Sequence, residues 1–223
     1  CEPFERWAEA LQLERFALLG HSFGGLVSAY WATRHPERIA CLGLLSPCLG
    51  FSDERISSIT GTLNDKDTPW QRRAFLSLIE SAWSHHLTPQ TLVRWLPGFK
   101  GFVERATERR YKAQRGITEE EGKLLSQYVV ATMDLPASTE AAGPTLFGPF
   151  LRPLEASSGS IKSRLSCLQG IPLFAIYGDN DWMEKPPQQD IPNCDFAVLK
   201  DSGHHLALDA PKELARLVLP RLQ

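Results

Sequence analysis

The sequence predicts an α/β protein: a parallel sheet flanked by helices and interrupted by a long helical insertion. Three observations predict it. Short apolar runs alternate with amphipathic stretches at both ends of the chain. One such run leads into Gly20-His21-Ser22-Phe23-Gly24, a Gly-x-Ser-x-Gly turn between a strand and a helix. Between residues 48 and 170 no strand of comparable quality occurs, while helical periodicity continues. The chain therefore divides into residues 1–47, which carry the turn, a helical cap over residues 48–170, and residues 171–223, where strand chemistry returns.

Residues 3–13 read as an amphipathic helix, with Phe4, Trp7, Ala8 and Leu11 on one face for packing onto a sheet. Residues 15–19 form a short strand with no polar face, as expected of a sheet covered on both sides. A helix over residues 26–34 follows and stops ahead of Pro36. Residues 39–45 are a second buried strand, ended by Ser46-Pro47. In the cap, residues 69–84 place Trp70, Ala74, Phe75, Leu78, Ile79 and Trp83 on one broad helical face. Thr88-Pro89 starts a helix to Leu96, stopped by Pro97-Gly98, and residues 99–113 are basic and amphipathic. Thr118 with Glu121 three places on is a capping box, opening a helix to Met133. Residues 134–160, rich in Pro, Gly, Ser and Ala, read as irregular. Strands return at residues 171–177 and 195–199, and a last helix begins near Asp209-Ala210-Pro211 with Leu214, Leu217 and Val218 inward.

Composition excludes several classes. A net charge of −2 lacks the basic excess of a nucleic-acid binder. No apolar run approaches the ~20 residues of a membrane-spanning helix. The five cysteines include no Cys-x-x-Cys pair, which argues against a disulfide framework or zinc site and for thiols in a reducing, cytoplasmic setting. No metal or other cofactor is expected. The first residue is Cys1 rather than Met, so the chain reads as a fragment or a processed form.

A sharp strand-to-helix turn forces strained backbone angles on Ser22 and demands small residues two places to either side. It lifts the Ser22 hydroxyl into a cleft, but a serine hydroxyl is a weak nucleophile and needs a base and an acid to orient that base. In a parallel sheet such groups sit on loops at the carboxyl ends of strands. Gly178-Asp179-Asn180-Asp181 and Gly203-His204-His205 each follow a strand. Asp181, three places past Gly178, is favoured over Asp179 as the acid, with Asp179 serving the turn. His204 is favoured over His205 as the base. His21 reads as packing at the turn, and His35, His85 and His86 as surface residues. His204 and Asp209 also have His-x4-Asp spacing, a glycerolipid acyltransferase pattern, for which a triad base plus a residue starting the last helix is a sufficient explanation. The cap carries Arg94, Lys100, Arg105, Arg109, Arg110, Lys112, Arg115 and Lys123 near Trp83, Trp95, Phe99 and Phe102. Two readings stand open there: a phospholipid-binding face, and a solvated helix whose charge is balanced by Glu104, Glu108 and Glu119 to Glu121.

Together, Leu18 through Gly25, Leu45-Ser46-Pro47, Tyr177 through Met183 and Gly203-His204-His205 resemble one branch of the α/β-hydrolases. That branch includes N-acyl-phospholipid lysophospholipases, proposed lysophosphatidic-acid acyltransferases and lipid-droplet lipase coactivators. The resemblance implies an α/β-hydrolase fold with a cap. It implies Ser22 as nucleophile, His204 as base, Asp181 as acid and the Phe23 backbone N–H as an oxyanion donor. It implies a serine hydrolase of lysophospholipase type, or an acyl-CoA-dependent lysophospholipid acyltransferase, acting on glycerophospholipids. Trp83, Trp95, Phe99, Arg109 and Arg110 are its candidate substrate contacts. A non-catalytic coactivator-like protein at a membrane or lipid-droplet surface is the alternative. Epoxide hydrolases and dehalogenases are disfavoured because they place Asp where Ser22 stands. In the family, several strands and the loop giving the second oxyanion donor precede the turn; this sequence starts after them, so the segment is expected to be incomplete.

Overall fold

A computed structural model of the chain describes residues 2–65, 67–96, 98–112, 116–137, 140, 143–149, 152–153 and 160–222. Two compact units result: residues 1–49 with 155–223, and residues 50–154.

The first unit is built on a four-stranded sheet in the order β1-β2-β5-β6. Its strands are β1 (Phe16–His21), β2 (Ile39–Leu45), β5 (Leu173–Gly178) and β6 (Cys194–Leu199), all parallel to their neighbours. The central pair is a continuous apolar run: β5 is buried throughout, and Ile39, Leu42 and Leu44 of β2 are fully buried. Burying each such side chain contributes roughly 1.5–3 kcal/mol relative to exposure, which makes this pair the stiff frame of the unit. β1 alternates half-buried and exposed positions up to the buried Gly20, as a strand at a sheet margin does, so the stretch expected to be covered on both sides is open at Ala17 and Leu19.

Helices cover the sheet. α1 (Glu2–Ala10) sets Phe4 against Phe16 and the fully buried Trp31. Ala8 is buried with it, but Trp7 and Leu11 are more than half exposed, so the face expected from residues 3–13 packs only in part. Helix α2 (Phe23–Ala32) starts directly after Ser22, three residues earlier than periodicity suggested, because its first turn is nearly side-chain-free at Gly24 and Gly25. After β6 come α10 (Leu206–Asp209) and α11 (Pro211–Val218). Leu206, Leu214 and Val218 close over Cys41, Phe174, Ile176 and Leu199, with Leu217 packed against the same cluster.

The second unit is helical: α3 (Asp53–Asn64), α4 (Trp70–Ser84), α5 (Pro89–Trp95), α6 (Phe99–Lys112), α7 (Glu119–Met133) and α8 (Gly143–Leu146). It also holds a two-stranded antiparallel pair, β3 (Phe147–Gly148) with β4 (Arg152–Pro153), inside the stretch expected to be irregular. The Thr118 capping box is formed: Thr118 Oγ1 accepts from the Glu121 N–H, and Glu121 Oε2 accepts from the Thr118 N–H at 2.7 Å. Helix α3 escaped sequence reading because Gly61 and a run of Ser and Thr dilute its periodicity, although Ser52 caps it. The broad apolar face expected for α4 is not buried as a whole, since Trp70 and Leu78 remain 68% and 66% exposed. The Phe75 side chain lies outside the described residues, as do Pro97, Ala113 and Arg115.

The boundary at residue 170 needs correction. Helix α9 (Ile161–Ser166), within the stretch assigned to the cap, belongs to the sheet unit: Ile161 and Leu165 are buried, and Arg164 stacks on Tyr30 of α2. Its six residues are too short for periodicity to separate from a loop. Among the described residues no helix is long and apolar enough to cross a membrane.

Candidate active site

The turn at Ser22 joins β1 to α2 with φ 54° and ψ −122°. A positive φ on a residue with a Cβ is disfavoured and persists only where its surroundings hold it. Here the end of β2 and the loop that follows it hold it from both sides. The Ser22 N–H donates to the Leu45 carbonyl at 2.9 Å, and the Ser22 carbonyl accepts from the Cys48 N–H at 3.0 Å. Gly20 lies where strand and helix nearly touch: a Cβ there would stand 2.5 Å from the Gly24 carbonyl oxygen. The flank on the other side differs from expectation. A Cβ on Gly24 would meet nothing within 4 Å, and the crowded position is Gly25, 2.9 Å from the Pro47 Cβ. The helix begins so early that Gly24 already faces outward.

The loops after β5 and β6 bring the other two residues to this turn. Asp179 ties the loops together, accepting from the Ser202 N–H and the Asp201 N–H at 3.0 Å each. Those backbone bonds, Ser202 foremost, hold its carboxyl below the usual carboxylate range. With Asp179 so used, Asp181 is the carboxylate that reaches His204: its Oδ1 lies 3.0 Å from His204 Nδ1 and accepts from the Met183 N–H at 2.9 Å. His204 Nε2 lies 2.8 Å from Ser22 Oγ. The histidine and aspartate side chains are buried, 5% and 1% exposed. Burial pushes the Asp181 carboxyl up, but its polar neighbours, led by His204, then the Ser46 hydroxyl and the Met183 N–H, together hold it below its ordinary value. The network assigns the Nδ1–H tautomer to His204, donating to Asp181 and leaving Nε2 to accept from the Ser22 hydroxyl.

Two neighbours support His204. His21 Nε2 donates to the His204 carbonyl at 2.8 Å. Burial, the largest influence, pushes the His21 imidazole below its ordinary value despite that bond. Trp182 sets its ring 4.9 Å from the His204 ring. Asp209 has a different place from the one expected. It does not cap the last helix; its Oδ2 accepts from the Gly203 N–H at 2.9 Å and so fastens the histidine loop. The His-x4-Asp spacing is thus a loop clamp. His205 stands with its ring 5.6 Å from that of His204, and His35 stacks on Trp31. The sequence marked Trp182 and Met183 only as part of the Tyr177–Met183 resemblance and His21 only as packing at the turn; their contacts with His204 and Asp181 come from the structure.

The remaining candidates lie in the helical unit. The Trp83 indole N–H donates to the Phe147 carbonyl at 2.8 Å, and Trp95 is 68% exposed. Phe99 rests against Phe102 with ring centroids 5.7 Å apart. Arg109 and Arg110 are exposed on α6. Two cap cations are already engaged: Arg94 pairs with Glu140 and Lys100 with Asp134, each at 2.7 Å.

A parallel sheet, a strand–turn–helix bearing a strained serine, and a Ser-Asp-His chain order define an α/β-hydrolase, and the family model described as alpha/beta hydrolase fold matches residues 1–211. The chain belongs to that family. A 1-acylglycerol-3-phosphate O-acyltransferase of Arabidopsis thaliana is 36% identical over 94% of this chain and 50% of its own length. A probable 1-acylglycerol-3-phosphate O-acyltransferase of Oryza sativa is 34% identical over the same shares. The abhydrolase domain-containing protein lid-1 of Caenorhabditis elegans is 23% identical over 97% of this chain and 58% of its own. The chain spans about half the length of the first two relatives. Among solved structures, a bromoperoxidase from Bacillus anthracis has a TM-score of 0.60 at 18% identity, covering 98% of this chain and 71% of its own. The thioesterase domain of a curacin biosynthetic pathway has a TM-score of 0.57 at 19% identity over the same shares. These likenesses establish the fold.

Proposed function

We propose that the protein containing this chain is a serine-dependent acyl-transferring enzyme acting on lipid esters. Ser22 is the nucleophile, His204 the general base and acid, and Asp181 the residue that orients the imidazole. The observation that carries the reading is the continuous contact from Ser22 Oγ through both His204 nitrogens to Asp181 Oδ1, at 2.8 and 3.0 Å. As Ser22 Oγ attacks an ester or thioester carbonyl, its proton passes to His204 Nε2. The imidazolium so formed is stabilised by the Asp181 carboxylate. His204 then gives the proton to the leaving oxygen or sulfur, and an acyl-enzyme remains on Ser22. The acyl group passes to water in hydrolysis, or to a lysophospholipid hydroxyl in acyl transfer; His204 deprotonates either acceptor.

The Phe23 N–H is the candidate oxyanion donor. It opens α2, where no preceding helical turn supplies a carbonyl for it. One such donor contributes about 2.7–4 kcal/mol in the transition state. The acyltransferase names of the plant relatives favour a lysophospholipid acceptor; acyl-CoA is the proposed donor. On the helical unit, Trp83, exposed Trp95, Phe99, Arg109 and Arg110 are the candidate apolar and cationic groups for a phospholipid. The alternative of a relic site in a surface-binding protein is less well supported, because a relic has no reason to keep three side chains in hydrogen-bond contact.

The test is labelling of the full-length protein with a fluorophosphonate probe. Wild type is expected to form one adduct on Ser22, and Ser22→Ala none. Absence of the wild-type adduct would overturn the proposal. Release of free fatty acid, measured against esterification of lysophosphatidic acid, then decides between acceptors.

A further inference from the structure

The nucleophile, base and acid leave one carboxylate oxygen unexplained. Asp181 Oδ1 receives both His204 and the Met183 N–H, while Oδ2 is buried and completes no hydrogen bond. A second buried polar atom is in the same position. Ser46 is fully buried, and its Oγ also completes no hydrogen bond. One is an acceptor carrying negative charge; the other is a donor free to rotate. Leaving either unpaired in the interior is unfavourable, so a hydrogen bond that joins them is favoured.

We propose that the Ser46 hydroxyl donates to Asp181 Oδ2 and is the positioning residue for the acid of the site, an inference that rests on the catalytic reading of Ser22, His204 and Asp181. Its backbone is placed for this. Ser46 is the first residue past β2, with its N–H held by the Ile176 carbonyl of β5 at 2.8 Å. Leu45, just before it, accepts from the Ser22 N–H, so the exit of β2 lies between the serine turn and the acid loop. Ser46 also adopts φ 43°. Glycine is the default at such an angle, and a serine kept there points to use of its hydroxyl. Burial pushes the Asp181 carboxyl up, and the Ser46 hydroxyl stands after His204 among the neighbours that bring it below its ordinary value. Tyr177 and Ser202 also carry buried hydroxyls without a completed bond. Ser46 is the one of the three set at the exit of β2, between the serine turn and the acid loop, and the Asp181 carboxyl responds to it and not to the other two, so Ser46 is the assigned donor.

The consequence is orientation and charge. A donor on Oδ2 keeps the carboxylate from rotating about its Cβ–Cγ bond, so that Oδ1 stays on Nδ1. It also keeps Asp181 ionised, and therefore keeps the proton on Nδ1 and the lone pair on Nε2 facing Ser22. Loss of the donor makes the carboxylate more basic and better able to retain an imidazolium.

The experiment measures the second-order rate of Ser22 acylation by a fluorophosphonate across pH in the full-length protein. It compares wild type, Ser46→Ala, Ser46→Gly and Tyr177→Phe. Ser46→Gly removes the hydroxyl while relieving the backbone, so a shared effect of the two Ser46 variants belongs to the hydroxyl. Both are expected to react about tenfold more slowly, the factor equal to one modest hydrogen bond to a charged group. Both should also move the acid limb of the profile to higher pH; Tyr177→Phe should leave that limb unchanged. In parallel, the Asp181 carboxyl is titrated by carbon NMR, which requires no turnover. Its midpoint should rise in both Ser46 variants. Wild-type rate and pH profile in the Ser46 variants would overturn the proposal, as would an unmoved Asp181 midpoint or a shift seen only in Tyr177→Phe. If wild type itself fails to label, the catalytic reading falls, and the Asp181 titration alone decides the Ser46–Asp181 bond.

Discussion

Gly20 and Gly24 stand symmetrically about Ser22 in the sequence, yet the structure predicts opposite results on adding one methyl group to each. In Gly20→Ala the new Cβ would lie 2.4 Å from Ser28 Oγ, 2.5 Å from the Gly24 carbonyl oxygen and 2.8 Å from its carbon. The Ser28 hydroxyl can turn aside, but the Gly24 carbonyl is backbone in the first turn of α2. Relief requires α2 to withdraw from β1 by about 1 Å, and overpacking of this kind costs about 1–3 kcal/mol. The same movement displaces Ser22 relative to His204, and misplacement of about 1 Å lowers reaction rates roughly hundredfold. In Gly24→Ala the methyl group meets nothing within 4 Å. It replaces a helical glycine, so stability should hold or rise by up to about 1 kcal/mol. Urea denaturation gives the stability of each variant, and fluorophosphonate labelling gives the reactivity of Ser22. Equal losses in the two variants, or a greater loss in Gly24→Ala, would refute the close approach of β1 and α2 at Gly20.

Further outcomes follow from the same geometry. Ser22→Gly removes the penalty of φ 54°, worth about 1–2 kcal/mol against the entropy glycine adds, so it should unfold no more readily than wild type while losing all labelling. Asp179→Ala frees the Ser202 and Asp201 N–H groups, and amide exchange over residues 200–205 should rise as labelling falls. Asp181 is held below its ordinary 3.8, so between the two values the unfolded chain binds the proton that the folded chain refuses. Its contribution is therefore complete above the unfolded pKa and lost as pH falls through the folded one; denaturation midpoints should drop below about pH 4 and drop less in Asp181→Asn. Thr118→Ala breaks the capping box of α7 and should destabilise the helical unit by about 1 kcal/mol, read from amide exchange at the start of that helix.

The strands, the serine turn, the capped α7 and the three side chains of the site were legible in the amino-acid order because each rests on a local rule. Apolar runs too short for a helix must be strands, a glycine-flanked serine between strand and helix must be a sharp turn, and a threonine with glutamate three places on satisfies two helix-end donors. Where local rules gave two answers, tertiary structure decided. Turn chemistry favoured Asp181 over Asp179, and the structure supplies the reason, since the backbone N–H groups of Ser202 and Asp201 claim Asp179. Asp209 matched an acyltransferase spacing, yet its carboxylate spans to Gly203 because the loop folds back on α10. Gly24 looked as constrained as Gly20 until the early start of α2 turned it outward. Ser46 read only as the end of a strand and as part of a family resemblance, and the role proposed for its hydroxyl depends on a carboxylate 135 positions away in the chain. Periodicity and turn chemistry act over a few residues and can be read along the chain; which donor faces which acceptor depends on strand register and loop closure, and those exist only once the sheet has formed.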